Sequence, residues 1–495
     1  MEHIGLPENV HGVHIHFVGI KGTGMAALVE ILSACGAVIT GSDVSERFYT
    51  DEILERLGIK ALPFSEENIT NDVQYVIYSS AYSLQKNPDL IAAVGKNIPC
   101  LLYTQALGSY SARSYSCGIC GVHGKTSTTG LAGTVLKHLD VPVQILAGSV
   151  INSFGNTCTY TSPAFRDSQK RFFVAETCEY QRHFMSFCPQ KIVLTSVESD
   201  HQDYYPTYED IRDAFVDYIC RLPENGGLIY CADDDGATET AARAAEKRPD
   251  IQLIPYGERA DGDYHLEFYG VENERNRFSV GLLGDLYLSV PGKHEVRDAA
   301  AAVALSCELL RSAGKNPRDY TDRIRSGLAE FSGGKRRSEI VGAFTTASGN
   351  SVVVIDDYGH HPTAIRTTLA GYREFYKGRK IIVDFMSHTY SRTQALLKEF
   401  AAAFESADSI ILHKIYASAR ENAADFKITG RTLYEEVQKY SRNVRYFEEI
   451  LDAKDFLLSE LDKPLEPAYP DGYLVVTMGA GDNWKLGRAV LPQGN

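Results

Sequence analysis

The chain has 495 residues, 44% hydrophobic and 23% charged, and a formal net charge of −14. That length predicts about three domains of ~150 residues, each able to bury a core. The acidic balance excludes nonspecific DNA or RNA binding as a main role, because such binding draws on clustered Lys and Arg at phosphates. An acidic protein that handles anionic nucleotides has to gather its positive charge in clefts. Residues 1–13 carry acidic groups and no apolar core, and no uncharged apolar run reaches the ~18 residues of a membrane span, so a cytoplasmic protein is expected. Ten cysteines are too sparse here for a disulfide scaffold; Cys35, Cys100, Cys220 and Cys307, in apolar surroundings, read as reduced core residues. Cys117 and Cys120 form a C-x-x-C with no second pair at zinc spacing, which argues against a redox or zinc role.

The first segment alternates short β-branched runs with helical ones, at His14 to Val18, Met25 to Cys35, Ala37 to Thr40 and Val73 to Tyr78. That is the βαβ grammar of a doubly wound α/β sheet. Gly22-Thr23-Gly24-Met25-Ala26-Ala27 fits G-x-G-x-x-G/A between a strand and a helix, and Ser42-Asp43 ends the next strand. Alone this is a dinucleotide fingerprint, which makes a NAD-dependent dehydrogenase a rival reading, although the same turn serves any diphosphate. The small and polar residues from Ser109 to Ser116 read as a linker, with a domain boundary near 112.

The second segment opens with a strand at Tyr115 to Ile119, then Gly121-Val122-His123-Gly124-Lys125-Thr126, then a helical pattern from Ser127 to Leu139. Glycines ahead of a Lys-Thr pair let backbone amides and a helix N-terminus wrap a polyphosphate. Lys125 is placed to reach the β and γ oxygens, and Thr126 to hold Mg²⁺. Ile119 stands where the strict pattern requires glycine, so this is not a standard Walker A loop. Further strands are expected at Phe172 to Ala175, Lys191 to Thr195 and Leu228 to Cys231. Glu176 ends the first of these, positioned to complete a Mg²⁺ shell with Thr126, and Glu179 is expected to contribute through water. The run Glu198-Ser199-Asp200-His201-Gln202-Asp203 follows another strand; His201 suits a second metal or a phosphate, and a plain hydrogen-bonded role is the alternative. An alanine-rich helix, Val296 to Leu310, follows Pro291-Gly292-Lys293-His294, and a second boundary is expected near 330.

The third segment restarts the alternation: a strand at Ser351 to Ile355, a helix near Thr363 to Phe375, and a strand at Lys380 to Phe385. Asp356-Asp357-Tyr358-Gly359-His360-His361-Pro362 ends its first strand, and Ser387-His388-Thr389-Tyr390-Ser391-Arg392-Thr393 follows the second. Arg392 and the Lys335-Arg336-Arg337 cluster are natural carboxylate or phosphate clamps, since guanidinium presents a two-pronged fork.

Taken together and in order, these motifs, with Thr40-Gly41-Ser42-Asp43 and Met478-Gly479-Ala480-Gly481-Asp482, resemble the Mur ligases, and within them the alanine-adding branch. No lysine lies between Lys191 and Lys247, where sister ligases carry a carbamylated one. The resemblance implies three α/β domains: a Rossmann-like UDP-sugar domain at 1–112, a phosphate-loop ATPase domain at 113–330, and a Rossmann-like ligase domain at 331–495. It reassigns the first glycine turn from NAD to UDP, with Gly22, Thr23, Gly24, Met25, Ser42 and Asp43 as its contacts. The implied reaction, the first peptide step of peptidoglycan precursor synthesis, activates the lactyl carboxylate of UDP-N-acetylmuramate with ATP to an acyl phosphate, which the amine of L-alanine attacks. ATP contacts fall to Gly121 through Ser127 and His294. Two Mg²⁺ ions are implied, one on Thr126 and Glu176 and one on His201. Lys125, Glu176, His201, His360, Arg392, Arg336 and Arg337 carry the chemistry. Partners are these small molecules, with no nucleic acid or membrane, and the chain is a monomer or homodimer. A murein tripeptide ligase and a non-catalytic nucleotide-binding protein are the alternatives, the second prompted by Val122, Cys178 and Glu295. Glu295 and Asp298 stand where the family usually has Asn.

Overall fold

The computed structural model describes residues 5–417, 421 and 423–492. The first sheet holds four parallel strands in the order β2-β1-β3-β4: β1 (His14–Val18), β2 (Val38–Ser42), β3 (Tyr75–Tyr78) and β4 (Cys100–Leu102). All five residues of β1 are buried, as a central parallel strand covered on both faces requires. The helix Thr23–Ala34 packs across to the second sheet. There the Glu30 carboxylate accepts from the Cys158 amide (3.1 Å) and the Thr159 hydroxyl (3.2 Å), and burial lifts its pKa to about 7.

The second sheet has seven strands, β5 (Tyr115–Cys120), β6 (Val143–Ile151), β7 (Thr157–Thr161), β8 (Phe172–Glu176), β9 (Lys191–Leu194), β10 (Gly227–Cys231) and β11 (Gln252–Tyr256), ordered β11-β10-β9-β5-β8-β6-β7. Only β7 runs antiparallel to its neighbour. The first strand in sequence, β5, lies between β8 and β9, so the chain departs to both sides of it and leaves a crevice at its C-terminal end. The helix Lys125–Lys137 is buried on nearly every face because it is built from small residues. A Cβ at Gly133 would meet the Phe154 ring at 2.3 Å, so that helix admits no side chain there. It packs along the buried helix Lys293–Ser312. A small antiparallel sheet, β12 (Leu266–Val271), β13 (Asn276–Val280) and β14 (Asp285–Leu288), lies between them in sequence and has no counterpart in the expected strands.

The third sheet is ordered β15-β16-β20-β17-β18-β19, from β15 (Glu339–Thr345), β16 (Ser351–Asp357), β17 (Arg379–Phe385), β18 (Ser409–Leu412), β19 (Val444–Tyr446) and β20 (Gly472–Met478). It is parallel except for the edge strand β15. The helix Pro362–Phe375 follows β16 and brings Gly371 against Gly292, where a Cβ on residue 371 would meet the Gly292 Cα at 2.5 Å.

Two expectations need correction. Residues 109–116 are not a loose linker: a helix runs Tyr103–Ser111 and β5 begins at Tyr115. The small residues serve close packing, since a Cβ on Gly108 would strike the Ser186 carbonyl at 2.1 Å, and the buried Ser116 hydroxyl donates to the Ser111 carbonyl (2.5 Å). Of the cysteines read as core, Cys307 is buried while Cys35, Cys100 and Cys220 are half-buried; all four are free thiols. Cys117 and Cys120 are buried and free, with burial raising both thiol pKa values.

Candidate active site

The C-terminal ends of β5, β8, β9, β16, β17 and β20 open onto one cleft of about 1240 Å³. Its floor is the phosphate loop. Gly121 has φ 138° and Gly124, which caps the helix Lys125–Lys137, has φ 78°, a region where side chains are strained. Space also demands glycine, because a Cβ at 121 would meet the Thr195 hydroxyl at 2.0 Å. Ser196 pins the loop from behind: its carbonyl accepts from the Val122 amide (3.0 Å) and its hydroxyl from the His123 amide (2.9 Å). Two of the amides expected to face phosphate are therefore engaged by protein.

The Lys125 ammonium donates to the Gly121 carbonyl (2.5 Å) and pairs with Glu179 Oε2 at 2.9 Å. Burial is the largest influence and opposes its charge, but Glu179, with Cys178 and Glu176, together outweigh it and hold the lysine pKa above its ordinary value. Thr126 donates its hydroxyl to Glu176 Oε2 (2.9 Å), and the same oxygen accepts from the Gly148 amide (2.8 Å). Glu179 touches Lys125 directly and also His201 Nε2 (3.1 Å). His201 has φ 54°, a strained value that turns it back toward Glu179.

The third sheet closes on this floor through a buried ion pair. Arg392 donates from Nε (3.1 Å) and Nη2 (2.8 Å) to Asp200 Oδ1, with 6% and 4% of the two residues exposed. Burial would raise the Asp200 pKa, but the guanidinium holds it well below the usual carboxylate range. Glu198 makes a second joint: it contacts His123 Nε2, lies 3.7 Å from His361 Nδ1 and accepts from the Thr363 hydroxyl (3.0 Å). His360 donates from Nδ1 to the Tyr358 carbonyl (3.0 Å), and burial followed by Arg392 pushes its pKa well below normal. His294 is pushed down to about 4 by burial, Arg297 and His123. Arg336 donates to Asp356 Oδ2 (2.9 Å), whereas the Arg337 guanidinium lies over the Tyr358 ring at 5.1 Å.

The first sheet's candidates divide. Thr23 lines the large cleft, while Gly24 lines an adjoining cavity of about 210 Å³ with Tyr103 and Glu176. Met25, Ser42 and Asp43 are buried, and Asp43 holds the glycine turn by accepting from the Lys21 amide (2.7 Å) and the Tyr82 hydroxyl (3.1 Å). Gly22 caps the helix Thr23–Ala34.

Family models match in three consecutive blocks: "Mur ligase family, catalytic domain" at residues 14–115, "Mur ligase middle domain" at 119–306, and "Mur ligase, glutamate ligase domain" at 336–481. The chain is 46% identical over 489 residues to the UDP-N-acetylmuramate--L-alanine ligase of Treponema pallidum, covering 98% of each chain. The chain belongs to the Mur ligase family. A second relative of the same name, from Borreliella afzelii, is 35% identical, covering 96% of this chain and 97% of its own. Among solved structures, the fold matches UDP-N-acetylmuramate-alanine ligase MurC from Thermotoga maritima with TM-score 0.75 and 24% identity, over 96% of this chain and 98% of that one. It matches a murein peptide ligase from Psychrobacter arcticus with TM-score 0.65 and 19% identity, over 97% and 98%.

Within this Mur ligase the sequence reading gave no role to Glu198 or His361, because their partners lie far along the chain. The local signal was a charged run at each of two strand ends, and only the fold brings those ends together.

Proposed function

We propose that this chain is an ATP-dependent, ADP-forming ligase that joins L-alanine to the lactyl carboxylate of UDP-N-acetylmuramate in peptidoglycan precursor synthesis. The observation that carries the reading is the end-to-end likeness to the Treponema ligase of that name. The reading divides the chain into a UDP-sugar domain at 1–112, an ATP domain at 113–330 and an amino-acid domain at 331–495, in line with the three matched blocks.

In this scheme the ATP triphosphate lies along Gly124 to Ser127, and Lys125 neutralises charge that develops between the β and γ phosphates. Glu179 keeps that lysine charged and aimed. The Thr126 hydroxyl and Glu176 carboxylate are hard oxygen donors 2.9 Å apart, a set that fits Mg²⁺, and His201 beside Glu179 suits a second ion. Bound there, Mg²⁺ supplies charge screening that lets the lactyl carboxylate approach the γ-phosphate. Arg392, His360 and Arg337 face the cleft from the third sheet and orient the acyl phosphate and the amine of alanine. Burial and the Arg392 guanidinium push the His360 pKa well below normal, which disfavours a further positive charge beside Arg392 and suits the ring to orienting by hydrogen bonds. Arg336, tied to Asp356, positions the strand end rather than the substrate. No helix among the described residues is long and apolar enough to cross a membrane.

The test is release of ADP and phosphate from Mg-ATP and UDP-N-acetylmuramate, with and without L-alanine. Release that needs both the UDP-sugar and alanine, with a matching amide product, supports the assignment. Release only with the recycled tripeptide would replace it with the murein peptide ligase reading.

A further inference from the structure

The cleft contains two acids that the reaction scheme does not use. Glu295 and Asp298 lie in the first turns of the helix Lys293–Ser312, 4% and 7% exposed, and both line the nucleotide cleft. Glu295 Oε1 accepts from the Ser127 hydroxyl (2.9 Å), while its Oε2 is buried without a hydrogen-bond partner among the described residues. Asp298 stands against the phosphate loop itself, where a Cβ on Gly124 would meet its Oδ1 at 2.5 Å. Two carboxylates thus crowd the turn that receives a triphosphate.

The surroundings decide their charge. On their own helix they face each other, Arg297 and His294, whose Nε2 is 3.9 Å from Glu295 Oε1. From the helix after the phosphate loop come only the neutral hydroxyls of Ser127 and Thr128. From the third sheet and its helix come Asp357, Arg337 and the Tyr372 phenol. Burial dominates: it lifts Glu295 to about 7, with Asp357 adding to the rise, and lifts Asp298 well above the carboxylate range. Helix N-termini favour anions, yet the desolvation of two adjacent acids exceeds that.

We propose that Glu295 and Asp298 form a proton-gated part of the nucleotide site, in which the pair must be neutral for the triphosphate to bind, so that ATP binding draws one proton from solvent onto the Glu295 carboxylate. The charge argument is direct. A polyphosphate brought beside Ser127 is a further anion next to Glu295, and like charges in a desolvated site cannot all stay ionised. Burial raises the Asp298 pKa well above the carboxylate range, and Glu295, held by Ser127 with its Oε2 unpartnered, is the group placed to titrate on binding. Once protonated, its hydroxyl gives the orphaned Oε2 position a donor that a ligand oxygen can accept. The proposal rests on the ATP-binding assignment above and adds a pH linkage to it.

The experiment is calorimetric titration of the whole chain with Mg-ATP in buffers of differing ionisation heat, which counts protons exchanged on binding. With a free-state pKa of about 7, Glu295 is mostly ionised at pH ~8 and mostly protonated at pH ~6. Expected uptake is therefore larger at pH ~8 than at pH ~6, with apparent affinity several-fold weaker at the higher pH. The nucleotide's own phosphate ionisation has the opposite sign, since it releases protons on binding. Glu295→Gln keeps the shape and an acceptor for Ser127; referenced to it, the pH-dependent part should vanish. Equal proton counts in wild type and variant, or binding at pH ~8 with no uptake by the wild type, would overturn the proposal. If the variant fails to fold, the wild-type counts at the two pH values decide alone. No binding heat from Mg-ATP at either pH would overturn the ATP-site reading, and this inference with it.

Discussion

Replacing Lys125 with methionine tests the reading of the phosphate loop most directly. Methionine keeps the length and apolar stem of the side chain while removing the ammonium that bridges the Gly121 carbonyl and Glu179. Two losses follow. The charge that meets the β and γ phosphates disappears, and removing one such donor from a desolvated site costs about 2.7–4 kcal/mol, or 10²–10³ in kcat. Glu179, 2% exposed, is also left with His201 as its charge partner. Without its lysine, that carboxylate adds a repulsion that raises the KM for ATP. The assay is ADP formation under saturating UDP-N-acetylmuramate and alanine, beside a thermal melt of each protein. A second variant, Lys125→Met with Glu179→Gln, separates the effects: it should recover the lost melting temperature and part of the KM while kcat stays low. Turnover by Lys125→Met within about tenfold of wild type, a barrier change near 1.4 kcal/mol, would refute the role assigned to this lysine.

Arg392→Ala strands the buried Asp200 carboxylate and should cost about 3–5 kcal/mol of stability, read as a lowered melting temperature, and Arg392→Lys should recover only part; an unchanged melt would show the pair to be ornamental. Glu308→Ala strands the buried Lys191 ammonium, whose Nζ lies 2.9 Å from it, and removes an acceptor for Tyr264 (2.8 Å). A loss of ~3–5 kcal/mol should lower the melting point of that region by roughly 10 °C, and a shift under about 2 °C would contradict the burial argument. His413 donates from Nδ1 to the Phe447 carbonyl (3.0 Å) and from Nε2 to Asp384 (2.6 Å), so both ring nitrogens face acceptors. Burial lowers its pKa, but Asp384 outweighs burial and the net shift is upward from 6.5. The stabilisation is then complete below the unfolded value and is lost as pH rises through the folded one. Asp384→Asn should accordingly destabilise more at pH ~5.5 than at pH ~9 by denaturant unfolding, and a gap that does not change with pH would exclude the imidazolium.

Much of this site was legible because the decisive signals are local. Gly121 to Thr126 needs only a strand before it and a helix after it, and both form where the alternation of apolar residues placed them. Glu176 and Asp356 were identifiable as strand-end carboxylates, and α/β sheets build sites at that end. The direct approach of Glu179 to Lys125 was not legible because it depends on the turn after β8, where Gln181 and Arg182 take left-handed backbone angles that no glycine announces. The joint made by Glu198 with His361 and Thr363 joins strand ends of different sheets, and no short-range pattern encodes such a meeting. The small sheet β12 to β14 escaped for another reason: its strands mix buried with exposed and half-buried positions and carry charged residues, so the hydrophobic alternation is weak.

The meeting of Gly371 with Gly292 makes backbone touch backbone between the third domain and the second. One methyl group at residue 371 would act as a wedge between the two backbones. Each domain would keep its own core, because the added carbon points outward from the helix Pro362–Phe375 onto the Gly292 backbone, so the strain would fall on the seating of one domain against the other. A Gly371→Ala protein would then be a ligase arrested before its jaws meet.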